Sequence, residues 1–277
     1  PDSRSTVYYG LGLLAELIDQ PKEARSNYQK CFDINPDHLD VKQRIAGLDR
    51  NNRVSASALT LAVRYLEEGK HKEAETEFNR AVKESSDRRR VIMEIAQEYV
   101  DRQRYEDAIK YYRIWLDTNR EDAVVLNDLA NCYFKMKQFE EAAGNYKTAT
   151  ELPAAPDTVY KNLGLACASL GQSGKAIIAF RKYLQSKPED VEIISITADL
   201  CMKTGDFKVA MPLYEKSLRT NPRDYHAIFY LSECYLNMGH QDSARIGYNR
   251  VLELNADFEP AKKRLAQLEE MSTTLSQ

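Results

Sequence analysis

Long apolar runs are absent from this sequence. No stretch approaches the ~18 residues of a membrane helix, so direct membrane insertion is not expected. No charge of one sign prevails: 39 Lys and Arg face 42 Asp and Glu, for a net charge of −3. A nucleic-acid binder would normally carry a basic excess, so nucleic acid is not an expected partner. Histidine is scarce, with four in 277 residues, and His38, His71, His226 and His240 do not cluster. A metal site wants ligands at short spacing, so no metal and no cofactor are expected. Catalytic motifs are missing too. Gly171–Ala176 reads GQSGKA, but its first glycine is too close to the lysine for a phosphate loop. Ala176 stands where that loop needs Ser or Thr, and no strand precedes it. No catalytic residue is assigned, and the protein is expected not to be an enzyme. No signal peptide is visible. The chain opens at Pro1 rather than methionine, so a piece of a longer polypeptide is expected and targeting is not read from it.

What is present is a repeat. Asp157–Asp190 reads as two helices that cannot stand alone. The first carries Tyr160, Leu163, Gly164 and Cys167 on one stripe at helical spacing, and Gly171 is placed to end it. The second carries Ala176, Phe180 and Tyr183, and Pro188 stops it. Copies lie on a 34-residue lattice. The small residue of the second helix recurs as Ala74, Ala108, Ala142, Ala176, Ala210 and Ala244. The aromatic four residues later recurs as Phe78, Tyr112, Tyr146, Phe180, Tyr214 and Tyr248. The small residue of the first helix recurs as Ala62, Ala96, Ala130, Gly164, Ala198 and Ser232. Cys132, Cys167, Cys201 and Cys234 all fall at the tenth or eleventh place of a first helix, and Cys31 in a second helix. These are places for compact apolar filling. Thiols used so suit a reducing compartment, and a cytoplasmic location is expected.

Period and pattern resemble the tetratricopeptide repeat family over nearly the whole chain. The resemblance implies an all-α, right-handed α-solenoid of antiparallel helix pairs, about 16 helices in all. One repeat covers residues 5–38. Six regular repeats cover 55–88, 89–122, 123–156, 157–190, 191–224 and 225–258. Between them the lattice slips: from Ala24 to Ala74 is one period plus 16 residues, Leu39–Val54. Val41, Ile45 and Leu48 form one apolar stripe there. The end of the chain has the same form in Ala261, Leu265 and Leu268, over residues 259–271. A terminal repeat needs such a helix to stop stacking. Residues 39–52 therefore read either as a capping helix that closes a first array, 1–54, before a second, 55–277, or as an elongated helix in one array. Under the first alternative a link or gap is expected near Asn51–Ser57. The tail Ser272–Gln277 is polar and expected to fray.

The resemblance also implies a binding surface, since first helices of this family line a concave groove. Signature places face neighbouring helices, which leaves the second, fifth, sixth, ninth, twelfth and thirteenth places facing inward. The groove residues chosen on that basis are Arg90, Glu94 and Gln97, then Asn127, Asp128 and Asn131, then Lys161 and Asn162. They continue with Ser195 and Asp199, then His226, Phe229, Tyr230 and Glu233. The middle is rich in amides, suited to an extended backbone, and the far end is aromatic, suited to an apolar anchor. Inner acids outnumber inner bases, which favours a mildly basic ligand. The family's carboxylate clamp is matched only at Asn131 and Asn162, with Asn127, Glu192 and Ile196 replacing its cations. The family's asparagine ladder is matched only at Asn162. The expected function is a non-catalytic scaffold that holds a peptide or helical segment of a partner protein. Two alternatives stay open: a self-assembling structural module, in which a homo-oligomer forms, and a substrate-presenting arm of a larger enzyme.

Overall fold

The computed structural model describes residues 3–18, 20–153 and 155–274. Among the described residues every regular element is an α-helix, fifteen in number. The chain forms two compact units, residues 1–120 and 121–277. The first holds α1 (Ser3–Leu17), α2 (Pro21–Ile34), α3 (Leu39–Glu67), α4 (His71–Glu84), α5 (Arg88–Asp101) and α6 (Tyr105–Leu116). The second holds α7 (Ala123–Lys135), α8 (Phe139–Thr150), α9 (Asp157–Ser169), α10 (Ser173–Ser186), α11 (Val191–Thr204), α12 (Phe207–Thr220), α13 (Tyr225–Asn237), α14 (Gln241–Leu254) and α15 (Glu259–Thr274). Within each unit, every odd-numbered helix before α15 pairs with the next one. No described helix is long and apolar enough to cross a membrane.

The lattice residues build the core. Every second-helix alanine, from Ala24 through Ala74 to Ala244, is fully buried, and the aromatic four residues on is buried in each repeat. Alanine lets the two helices of a pair approach, and the aromatic packs against the first helix of its own pair, with Phe180 also in one cluster with Ile193 of the next pair. At Gly164 the ring of Phe180 sits so close that a Cβ would meet it at 2.4 Å. All five cysteines are free and buried. Burial pushes the Cys132 and Cys234 thiols up to about 12 and that of Cys201 to about 11.

The turns within pairs obey the lattice as well. Gly69, Gly171, Gly205 and Gly239 stand one or three periods apart, and all have positive φ. The intervening lattice positions are Gln103 (φ 58°) and Lys137 (φ 61°), which adopt the same left-handed conformation without being glycine. The following amide closes each turn onto the carbonyl five residues back, as in Arg104 N to Tyr99 O and Gln138 N to Tyr133 O, at 2.8 and 2.9 Å. GQSGKA covers such a turn and the first residues of α10.

The slip in the lattice resolves differently from the capping alternative. α3 runs unbroken for 29 residues through the expected seam at Asn51–Ser57. The expected array boundary near residue 54 is therefore corrected, and a separate sixteenth helix is absent among the described residues. The cause is local: between Gly47 and Gly69 there is no glycine or proline, so nothing stops propagation once the helix has started. The first half of α3 packs under α2, where Arg25 Nε donates to Asp49 Oδ1 at 2.7 Å. Its second half packs on α4, where Ser55 Oγ donates to the Ala81 carbonyl at 2.8 Å. The division into compact units falls after Arg120 instead. At the far end α15 continues to Thr274, three residues past the expected 271. Of the tail expected to fray, residues 275–277 lie outside the described residues.

Candidate binding surface

Successive first helices in unit 2 meet at a fixed offset. Asn162 Nδ2 donates to Asn131 Oδ1 at 3.2 Å, across 31 residues. Lys161 Nζ donates to Glu192 Oε2 at 3.4 Å and Arg264 Nη2 to Glu233 Oε2 at 2.7 Å, each again across 31. This offset is three short of the period. It brings the ninth place of one first helix to the sixth of the next, and the fifth to the second. The ninth place is also held from behind. Tyr146, Tyr214 and Tyr248 are buried, but their hydroxyls reach Asn131 Oδ1, Asp199 Oδ1 and Glu233 Oε1 at 2.6, 2.6 and 2.5 Å, each across 15 residues. Burial, reinforced at Tyr214 and Tyr248 by the accepting carboxylate, pushes all three phenols above their ordinary value. They therefore remain proton donors at neutral pH.

The three asparagines come together. Asn162 Nδ2 also donates to Asn127 Oδ1 at 3.0 Å, and Asn127 Nδ2 to Asp128 Oδ1 at 3.1 Å. Their carbonyl oxygens are thus largely used within the cluster. Asn131 Nδ2 and Asn162 Oδ1 are left without a partner among the described residues. Lys161 turns away from the amides. It lies 3.3 Å from Asp190 Oδ2, which also accepts the Tyr183 hydroxyl at 2.8 Å. Burial alone would lower the Lys161 pKa, but Asp190 and Glu192 outweigh it and hold it raised. Ser195 faces its own second helix, with its hydroxyl 3.0 Å from that of Ser217. Asp199 is exposed. His226, Phe229 and Phe258 form an aromatic cluster: the centroid of Phe258 lies 5.4 Å from His226 and 5.2 Å from Phe229.

Glu233 departs from expectation. Assigned to the open wall, it is 7% exposed and closed off by Arg264, which donates to both of its oxygens. The cause is α15, whose Arg264 stands at the sixth place counted on past the last repeat. Arg90, Glu94 and Gln97 belong to unit 1, where Arg90 pairs with Glu94 at 2.7 Å and Gln97 donates to Asp101 at 2.6 Å. Unit 1 also carries an open cavity of about 1040 Å³, walled by Leu17, Ile18, Ile92, Ile114 and Trp115, which the inner-face assignment did not select.

The tyrosine tethers were not foreseen, although the sequence carries their signal. In the six regular repeats, a tyrosine at the aromatic place goes with a polar ninth place: Gln97, Asn131, Asp199 and Glu233. Phenylalanine there goes with an apolar one, Val63 with Phe78 and Leu165 with Phe180. A hydroxyl reaching the inner face needs an acceptor, and a bare ring does not.

Family models described as tetratricopeptide repeat match residues 5–38, 59–124, 93–157, 127–191 and 201–268. The chain belongs to the tetratricopeptide repeat family. It is 26% identical over 148 residues to the BBSome complex member BBS4 of Bos taurus, covering 53% of this chain and 28% of that protein. It is 27% identical over 221 residues to the Protein CTR9 homolog of Arabidopsis thaliana, covering 75% of this chain and 20% of that protein. The chain thus spans less than a third of the length of these relatives. Among solved structures, YrrB, titled a TPR protein with an unusual peptide-binding site, superposes with a TM-score of 0.58 at 16% identity. That match covers 67% of this chain and 96% of YrrB. A MamA structure superposes with a TM-score of 0.52 at 19% identity, covering 60% of this chain and 91% of MamA. These likenesses are of fold.

Proposed function

We propose that unit 2 is a protein-interaction scaffold that holds an extended segment of a partner protein along α7, α9, α11 and α13. The observation that carries this reading is the amide cluster. Asn127, Asn131 and Asn162, from two successive first helices, are fixed by one another and by the Tyr146 hydroxyl. One free donor, Asn131 Nδ2, and one free acceptor, Asn162 Oδ1, match the donor and acceptor of a peptide backbone. Their orientation is set before the ligand arrives, which limits the ordering cost of binding. The aromatic cluster of Phe229, Phe258 and His226 supplies large contact area for an apolar anchor. Several relatives are named as members of complexes, BBS4 of the BBSome and a Dictyostelium discoideum protein as Anaphase-promoting complex subunit 7. A location in the cytoplasm and the absence of catalysis belong to the same proposal.

The test is a cross-linked pull-down with the full chain, repeated with Asn131→Ala/Asn162→Ala and with the second-helix control Lys182→Ala. The captured partner should lose at least about tenfold in affinity with the double substitution, roughly two backbone hydrogen bonds, and keep it with the control. Loss with Lys182→Ala alone would place binding on the other face.

Self-assembly has one observation in its favour. On α1, Val7 is 59% exposed and Leu14 52%. The third-place residues Val91, Val125, Val159 and Ile193 of later repeats are buried. Under this reading a second copy covers α1, and light scattering would show a dimer that Val7→Glu/Leu14→Glu dissolves.

A further inference from the structure

The contact between ninth and sixth places recurs in unit 2 with different contents. At α13 and α15 it is a complete ion pair. Glu233 accepts the Tyr248 hydroxyl on one oxygen, and the Arg264 guanidinium closes over both. One repeat earlier, at α11 and α13, the same construction lacks its base. Asp199 stands in the ninth place and accepts the Tyr214 hydroxyl at 2.6 Å, as Glu233 accepts that of Tyr248. The sixth place of the next first helix holds Tyr230 instead of arginine. Its ring stacks on that of Tyr214, with centroids 6.0 Å apart and planes inclined by 18°. Phe229 meets the same ring edge-on, with centroids 5.6 Å apart, and Tyr230 still keeps 39% of its surface exposed. Asp199 is exposed, and its Oδ2 has no partner among the described residues. Lys203, one turn further along α11, makes no ion pair with it, and the neighbouring inner acid Glu192 is taken by Lys161.

We infer that Asp199 and Tyr230 form a receptor for one arginine side chain of the bound segment, with the guanidinium on Asp199 Oδ2 and over the Tyr230 ring. The chain supplies its own precedent, since Arg264 fills the equivalent position at Glu233. Arginine fits better than lysine because its planar fork can donate to a carboxylate while its face stacks on an aromatic ring. Tyr214 holds the carboxylate in place while leaving its second oxygen to the ligand, so the charge-assisted hydrogen bond forms without rearrangement. This inference rests on the reading that unit 2 carries a partner segment, and it names one side chain of that segment.

The experiment has two arms, both on the full chain. In the first, Tyr230→Arg should fill the site from within. It should raise the melting temperature relative to Tyr230→Gln, and the rise should vanish in an Asp199→Asn background. In the second, the probe is the peptide acetyl-Gly-Arg-Gly-amide, titrated into isotope-labelled protein, with its citrulline counterpart as the uncharged isostere. The arginine peptide should shift amide resonances of α11 and α13 saturably. Asp199→Asn should weaken it by about tenfold, and Tyr230→Ala several-fold, while Asp206→Asn and the citrulline peptide report the background. Equal weakening by Asp199→Asn and Asp206→Asn would reduce the effect to general attraction by acids and overturn the assignment. So would equal binding of the citrulline peptide, or no binding of either. The amide cluster is tested separately, by Asn131→Ala/Asn162→Ala on a captured partner. A partner that depends on those amides but not on Asp199 removes this inference and leaves the scaffold standing.

Discussion

Replacing Arg264 by methionine tests the energetics of the inner face most directly. The Glu233 side chain retains 9% of its exposure and Arg264 39%, with Nη2 to Oε2 at 2.7 Å. Glu233 then keeps only the Tyr248 hydroxyl as a partner, in a site too closed for water to replace two lost donors. Breaking a fully buried pair costs roughly 3–5 kcal/mol, because one charge is left uncompensated. Arg264 is partly in water, which screens the interaction, so about 2–3 kcal/mol is expected here. Glu233→Gln/Arg264→Met removes the stranded charge and should recover to within about 1 kcal/mol of the parent. Repeat arrays open locally, so the measurement is hydrogen exchange of amides in α13–α15 rather than a single global melt. A coupling energy below about 0.5 kcal/mol in the double-mutant cycle is what a surface pair would give, and it would refute the reasoning.

Gly164→Leu should cost about 1–3 kcal/mol in a denaturant melt, since even a Cβ there lies 2.4 Å from the Phe180 ring. Exposed Lys175→Ala should stay within about 0.5 kcal/mol, and equal effects would contradict the close contact. Gln103→Gly and Lys137→Gly should each stabilise by about 0.5–1 kcal/mol, because both residues hold the left-handed turn that glycine holds elsewhere; lowered midpoints would count against this. Burial alone would raise the Asp190 pKa, but the Tyr183 hydroxyl, the Ile193 amide and Lys161 outweigh it and hold it below its ordinary value. Its stabilising contribution is therefore complete above the unfolded value of about 3.9 and drains as pH falls through the native value. Asp190→Asn should flatten the acid loss of stability below about pH 4, and an unchanged acid limb would remove Asp190 from that role.

Much of the fold was legible because packing places repeat. Ala176 and Phe180 could be assigned to the core from spacing alone, since only small and aromatic residues recur there. Asn127, Asn131 and Asn162, chosen by subtraction, do meet, although Asn127 is buried. Closure of that face was less legible. Glu233 looks like any inner acid until Arg264 is placed beside it, and Arg264 lies in a helix outside the lattice. The fate of residues 39–52 could not be read from pattern, because a capping helix and the first half of a longer helix share one apolar stripe. What separates them is the absence of a breaker between Gly47 and Gly69, a signal weaker than periodicity.

That unbroken helix has a thermodynamic consequence. Ordinary neighbours in a repeat array are joined by a turn and a packed interface, so each can fray while the next stays folded. α3 spans two packing sites along its own length, its first half on α2 and its second half on α4. At ~1.5 Å per residue it is a rod about 43 Å long, and separating the pairs would mean opening main-chain hydrogen bonds in its middle. Cooperativity between these two pairs is thus written into the backbone itself, and α1–α4 should melt as one block, whereas the pairs of unit 2 are joined by turns that let the transition stop between them.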